Sequence, residues 1–291
     1  MRIAVIGATG KTGRYLVRRL CDGGESVVAL SRDAGRLAQV DERADRRIAD
    51  VTDIASAIPA LAGAECVVSL AHAVLSDRVL AALPPTCRWV VLTGSVRRST
   101  TLPDPGADGV RKGEAAFRAW LLRGGRGVML HPSMIYGAPE DRNVGRLIRF
   151  LKRWPRAVPV IVPLPGGGRH TVQPVYFGDL VDALVAAVHR RDLPPEIEIV
   201  GPEPIPYRAL VQATAAAVGR RAAIVPLPLS LLAALAKAAA AVGVRLPFNA
   251  AELRRGTEDK RFSPEPMRSL LGVSPRAFED GVREKVTHGW Y

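Results

Sequence analysis

Over the first 131 residues, short apolar runs alternate with amphipathic stretches, and this alternation constrains the fold more than any other feature. Six runs, Arg2–Ile6, Ser26–Leu30, Arg47–Ala49, Cys66–Leu70, Trp89–Thr93 and Gly127–His131, are candidate strands. Most are rich in Val, Ile and Leu without polar alternation, as strands buried on both faces of a parallel sheet are. Between them, Thr12–Asp22, Asp33–Gln39, Asp53–Leu61, Asp77–Leu83 and Gly109–Arg123 have helical spacing. Strand, helix, strand in repetition predicts a doubly wound α/β parallel sheet.

After about residue 132 the rhythm breaks. Pro155, Pro159, Pro163 and Pro165 crowd together, and a Gly166-Gly167-Gly168 turn follows. The expectation is a core over residues 1–131. Residues 132–291 would then form mixed segments of a smaller lobe, with elements returning to the core. Its helices are expected at Arg142–Trp154, Phe177–Arg190, Tyr207–Val218 and Leu229–Val242, and a strand at Glu196–Val200 is expected to rejoin the sheet.

Composition removes several classes. The longest uncharged run, Ala222–Ala236, is broken by Pro226 and Pro228, and a span needs about 20 apolar residues, so no membrane span is expected. Met1–Gly7 holds too short an apolar stretch for a signal peptide, and a cytoplasmic protein is expected. Cys21, Cys66 and Cys87 form no C-x-x-C, and His72, His131, His170, His189 and His288 lack ligand spacing, so no metal is expected. The formal net charge of +13 favours anionic partners. The basic residues are scattered with few interleaved aromatics, which argues against nucleic acid.

The strongest local signal is Gly7-Ala8-Thr9-Gly10-Lys11-Thr12-Gly13, directly after the first strand and opening the first helix. Gly7 permits a tight turn, Gly10 lets backbone approach a pyrophosphate, and Gly13 allows close helix–strand contact. The spacing is G-x-x-G-x-x-G, and the strand before and helix after it favour a dinucleotide over a merely structural turn. The second strand runs into Ser31-Arg32-Asp33. An arginine there suits the 2′-phosphate of NADP, where a carboxylate would suit the ribose of NAD. Arg32 therefore predicts NADP, with NAD the alternative, although Arg32 can also simply pair with Asp33. Asp50-Val51 is placed for the adenine edge, and Asp50 and Asp53 are also good helix caps.

On these residues the chain resembles the extended or atypical short-chain dehydrogenases/reductases, which are Rossmann-type proteins related to nucleoside-sugar epimerases and NAD(P)H-binding regulators. The resemblance covers nearly the whole chain. It rests on the glycine motif and on Ala49-Asp50-Val51-Thr52-Asp53, Val91-Leu92-Thr93-Gly94-Ser95, Pro132-Ser133-Met134-Ile135-Tyr136-Gly137, Gln173-Pro174-Val175-Tyr176-Phe177-Gly178-Asp179-Leu180 and Leu271–Gly281. It implies a cofactor site from Gly7, Thr9, Gly10, Lys11, Thr12, Gly13, Ser31, Arg32, Asp50, Val51, Leu70, Ala71, Lys112 and Pro132. Val172 stands where nucleotide-sugar enzymes commonly carry an arginine, which speaks against a sugar-nucleotide substrate.

Such enzymes use a Tyr-x-x-x-Lys pair with a Ser or Thr. By resemblance, Ser95 holds the hydroxyl position and Lys112 the lysine, but the tyrosine position is Asp108. Aspartate is normally ionised, so it is a helix cap or, if buried, a base. Tyr136 is the candidate to substitute as proton donor, against a packing role. Arg142, Arg146, Arg149 and Arg153 share one helix face, either to clamp an anionic group or as a solvated surface. Two functions follow. One is an NADP-dependent oxidoreductase or epimerase-like enzyme acting at a carbonyl or carbinol of a small, anionic or neutral substrate. The other is a non-catalytic NAD(P)H-binding sensor, assembly or scaffold protein; a homodimer or a partner subunit is compatible with either.

Overall fold

A computed structural model of the chain describes residues 1–139, 141, 143–155, 157–232, 234, 238, 258, 259 and 261–291. Two compact units emerge. The first comprises Met1–Ser133, Gly178–Ile199 and Glu265–Ser274, and the second Met134–Phe177, Val200–Pro264 and Pro275–Tyr291.

The first unit opens with β1 (Arg2–Ile6), α1 (Lys11–Asp22), β2 (Ser26–Ser31), α2 (Ala34–Leu37), β3 (Asp45–Ile48), α3 (Ile54–Leu61), β4 (Cys66–Ser69), α4 (Ser76–Ala81), β5 (Trp89–Thr93), α5 (Pro105–Leu122) and β6 (Gly127–Pro132). β1, β4, β5 and β6 are buried almost end to end because their Val, Ile and Leu side chains have helices on both faces. β3 departs from that pattern. It lies at Asp45–Ile48 instead of Arg47–Ala49, pairs among the described residues only with β2, and leaves Ile48 65% exposed. Its charged residues suit an edge: Arg47 pairs with Asp45 at 2.7 Å and donates to the Ala60 carbonyl at 3.0 Å.

α5 begins four residues earlier than the sequence predicts. Asp104 is its N-cap, accepting from Gly106 N at 2.9 Å, and Pro105 occupies the first turn, where a missing N–H costs nothing. Asp108 is thus inside the first turn and does not cap the helix.

In the second unit the chain forms β7 (Ile135–Tyr136), α6 (Val144–Lys152), β8 (Val160–Pro165), β9 (Thr171–Val172) and β10 (Val175–Tyr176). It then returns to the first unit as α7 (Phe177–His189) and β11 (Glu196–Ile199), which adds parallel to β6. The sheet order is therefore β11-β6-β5-β4-β1-β2-β3, parallel throughout. The helix expected at Phe177–Arg190 in the smaller lobe belongs, from Gly178 onward, to the first unit. Leu180, Ala183, Leu184, Ala187 and Val188 are buried, and the Ala187 carbonyl accepts from the Trp89 indole at 2.8 Å.

β12 (Ile205–Pro206), α8 (Tyr207–Ala217) and β13 (Ala222–Leu227) lie in the second unit, α9 (Glu265–Leu271) in the first, and α10 (Phe278–Thr287) in the second. Among the described residues the second unit holds three small sheets, β7 with β10, β8 with β13, and β9 with β12. Pro163 and Pro165 lie within β8, which among the described residues pairs with β13 alone and so needs no N–H on its other side. α6 occupies Val144–Lys152 of the expected Arg142–Trp154, burying Val144, Leu147, Ile148 and Leu151. Arg142 lies outside the described residues, as does most of the expected helix Leu229–Val242. Among the described residues no helix is long and apolar enough to cross a membrane.

Candidate functional site

The glycine turn links β1 to α1. Gly7 has φ +80°, and Gly10 N donates to its carbonyl at 3.0 Å. A Cβ on Gly13 would stand 2.3 Å from the Gly7 oxygen and 2.9 Å from Ala8 backbone, so only glycine lets the helix approach this closely. Gly10 caps α1 without any side-chain hydrogen bond, whereas aspartates cap α2, α3 and α5. Gly10 thus offers the backbone N–H groups of this terminus no side-chain acceptor, and Lys11 and Thr12 lie in the same turn. The cradle fits a pyrophosphate.

Two further strands end beside it. A Cβ on Gly7 would touch the Leu70 side chain at 3.4 Å and Ala71 N at 3.7 Å. The turn after β4 is thereby brought to the boundary between β1 and β4, where the strand order reverses and ligands of such sheets bind. The Thr9 and Ser31 hydroxyls lie 3.0 Å apart, tying the glycine turn to the end of β2. Arg32 is exposed and has no ion pair among the described residues. Asp33 instead caps α2 through Arg36 N at 3.0 Å and pairs with the Arg36 guanidinium at 3.3 Å. Arg36 is thus committed, and Arg32 is the cation at this end. Asp50 accepts from Thr52 N at 2.9 Å and Thr52 Oγ1 at 2.8 Å, which holds its carboxyl below the usual range; the Arg32 charge adds to this. Val51 beside it is buried.

At the end of β5, Ser95 is seated on His131. Ser95 N donates to His131 Nδ1 at 3.2 Å, and Ser95 Oγ accepts from Arg97 N at 3.2 Å and lies 3.5 Å from the Pro132 carbonyl. Among the described residues the buried Thr93 hydroxyl has no hydrogen-bond partner. Lys112 is exposed on α5, one turn beyond Asp108, whose carboxylate pairs with Arg111 at 2.6 Å. His131, fully buried on β6, carries no sequence signal and was missed as a site residue; burial, with the Arg98 charge, pulls its pKa down to about 4.

Glu114, His131 Nε2 and Glu196 come within 4.8 Å of one another, as metal ligands would. Cations already serve these carboxylates. Arg98 binds Glu114 at 2.8 Å and also Glu196, and Arg118 binds Glu196 at 2.7 Å. The cluster is an ion network that joins α5 to β11.

Tyr136 is not placed as a proton donor. It is fully buried in the second unit, its ring packed on Phe278 at 4.8 Å and Tyr176 at 5.6 Å, with its hydroxyl 3.4 Å from the Ala277 and Phe278 carbonyls. This is a packing role, closed by the approach of Gly281, where a Cβ would meet the hydroxyl at 2.2 Å. Of the arginine stripe, Arg146 is half-buried, and Arg149 and Arg153 are exposed.

Residues 7–84 match the sequence model of a family described as NAD(P)H-binding. No curated protein matches by sequence. Among solved structures, the chain is similar to the UDP-N-acetylglucosamine 4-epimerase from Bacillus cereus, at 15% identity and TM-score 0.74, covering 99% of each chain. It is also similar to the UDP-glucose 4-epimerase of Thermus thermophilus in complex with NAD, at 20% identity and TM-score 0.72, covering 99% of this chain and 98% of that one. An NAD-dependent NDP-hexosamine 5,6-dehydratase involved in tunicamycin biosynthesis aligns at 18% identity and TM-score 0.72, covering 99% of this chain and 97% of that one.

Proposed function

We propose that this chain, which carries the Rossmann-type fold of the extended short-chain dehydrogenases/reductases, is an NADP-dependent oxidoreductase of the atypical kind, acting at a carbonyl or carbinol of a small substrate. The observation that carries the reading is the glycine turn: Gly13 lies where any side chain would strike Gly7, at the end of β1 and against Leu70 and Ala71. In this reading Gly7, Thr9, Gly10, Lys11, Thr12 and Gly13 receive the pyrophosphate. Ser31 and Arg32 take the 2′-phosphate, and Asp50 and Val51 border the adenine. Leu70, Ala71 and Pro132 line the nicotinamide half, and Lys112 binds its ribose. The bound nicotinamide supplies or accepts a hydride.

Ser95 and Lys112 are the groups at the reacting end. The Ser95 hydroxyl is held by the N–H of Arg97 and by the His131 seat beneath its backbone, so it offers a fixed oxygen to a substrate hydroxyl or carbonyl. Lys112 contributes positive charge there.

Titration of the purified chain with NADPH and NADH by calorimetry, before and after removal of carried-over nucleotide, tests the reading. NADPH binding that is tighter than NADH binding and is lost in Gly13→Ala supports it; binding of neither cofactor defeats it. A second reading, a non-catalytic NAD(P)H-binding sensor or assembly protein, is favoured by Asp108 at the tyrosine position. NADPH binding without oxidation across a panel of carbonyl compounds would select that reading.

A further inference from the structure

The turn after β4 carries a histidine that neither the glycine motif nor the Ser95 seat uses. His72 directly follows Leu70 and Ala71, at the boundary where the strand order reverses. Its Nδ1 accepts the Val74 N–H at 3.2 Å, capping the 3-10 turn Ala73–Leu75. That bond orients the ring and assigns its proton: with Nδ1 an acceptor, the neutral imidazole carries its hydrogen on Nε2. The ring also rests on α5. A Cβ on Gly109 would stand 3.1 Å from His72 Cε1, so the absence of a side chain there makes room for the imidazole. Gly109 immediately follows Asp108 and precedes Lys112 by three residues. Among the described residues Nε2 has no hydrogen-bond partner, and the side chain is exposed.

We propose that the Nε2–H of His72 is the hydrogen-bond donor to the oxygen of the carbonyl or carbinol on which the enzyme acts, the contact that Asp108 cannot make. The proposal rests on the oxidoreductase reading. An ionised carboxylate can only accept, whereas a fixed N–H donor polarises a C=O bond and stabilises negative charge gathering on its oxygen. His72 is not asked to surrender its proton, because Nδ1 is committed to Val74; it acts as a neutral electrophile, and no bond to it forms or breaks. The substrates it fits are small aldehydes and ketones, or the corresponding alcohols.

The test uses the full chain with NADPH, a panel of small aldehydes and ketones, and two variants. His72→Asn keeps a side-chain acceptor for the Val74 N–H, but its amide N–H stops short of the position Nε2 occupies; His72→Gln extends an amide N–H further out. For the best carbonyl found, kcat is expected to fall about 100-fold in His72→Asn and to recover in part in His72→Gln, with NADPH Kd and Tm of both variants unchanged. Independently of turnover, 15N NMR of the cofactor-free protein is expected to find the imidazole proton on Nε2. Unchanged kcat in His72→Asn, loss of NADPH binding together with kcat, or a proton on Nδ1 would each overturn the proposal and leave the oxidoreductase reading standing. Absence of carbonyl turnover in the unmodified protein that still binds NADPH would overturn that reading, and this proposal with it.

Discussion

Lys285 and Asp141 form a buried ion pair, Nζ to Oδ2 at 3.0 Å, with side chains 0% and 6% exposed. Lys285 also donates to the Ala138 carbonyl at 2.7 Å and to the Trp290 carbonyl, while Asp141 accepts from Asn143 N at 2.8 Å and Gly145 N at 2.9 Å. The pair thereby fastens α10 to the loop that leads from β7 into α6. Burial pulls the lysine pKa below its ordinary value, and the Asp141 charge opposes that pull. Removing one partner strands the other charge in an apolar setting. Lys285→Met is expected to cost about 3–5 kcal/mol, and the double variant Lys285→Met with Asp141→Asn less than the two single losses combined. Urea denaturation of the three variants checks this, and a single-variant loss below about 1 kcal/mol would refute the buried-pair account.

His131 predicts an acid-sensitive fold. Its folded pKa lies at about 4, against 6.5 for the free side chain. The unfolded chain therefore binds more protons between those values, and stability falls as pH drops through that window. The full difference corresponds to about 3 kcal/mol. Denaturation midpoints at pH 7 and pH 5 should differ for the natural chain, and the gap should shrink in His131→Phe. An undiminished gap in that variant would place the acid sensitivity elsewhere.

Arg32 predicts cofactor choice. Arg32→Ala should weaken NADPH binding on the order of tenfold or more, since a charge-assisted contact is lost, and leave NADH binding unchanged. Equal loss for both cofactors by calorimetry would remove Arg32 from the 2′-phosphate site.

Asp108 predicts a gain. Its side chain is 68% exposed and, among the described residues, pairs only with Arg111 one turn on, a contact worth less than about 1 kcal/mol. Asp108→Tyr is thus expected to fold normally and to raise carbonyl reduction, by about tenfold or more if the hydroxyl joins the proton chemistry. Unaltered turnover with intact NADPH binding would mean that the position no longer faces a reacting group.

Much of the first unit was legible because its signals are local. Val/Ile/Leu runs specify β1, β4, β5 and β6, and the glycine turn is recognised by a strand before it and a helix after it, all within 22 residues. Side-chain neighbours were not legible in the same way. Nothing in the sequence around Ser95 announces that its N–H is held by His131, 36 residues later, and a lone histidine in an apolar strand reads as core.

The sequence by itself determined the alternation of strands and helices over the first 131 residues and the position of the glycine turn, since periodicity and glycine spacing act over a few residues at a time; the short strands β7 to β10, β12 and β13 carry no such local signal. Only the tertiary structure decided that Tyr136 packs inward on Phe278, that the helix from Gly178 belongs with the first unit, that Asp104 and not Asp108 caps α5, and that His72 rests on Gly109. Those outcomes depend on which distant surfaces meet and exclude water, and residues that meet in the fold carry no mark of it in their own stretch of chain.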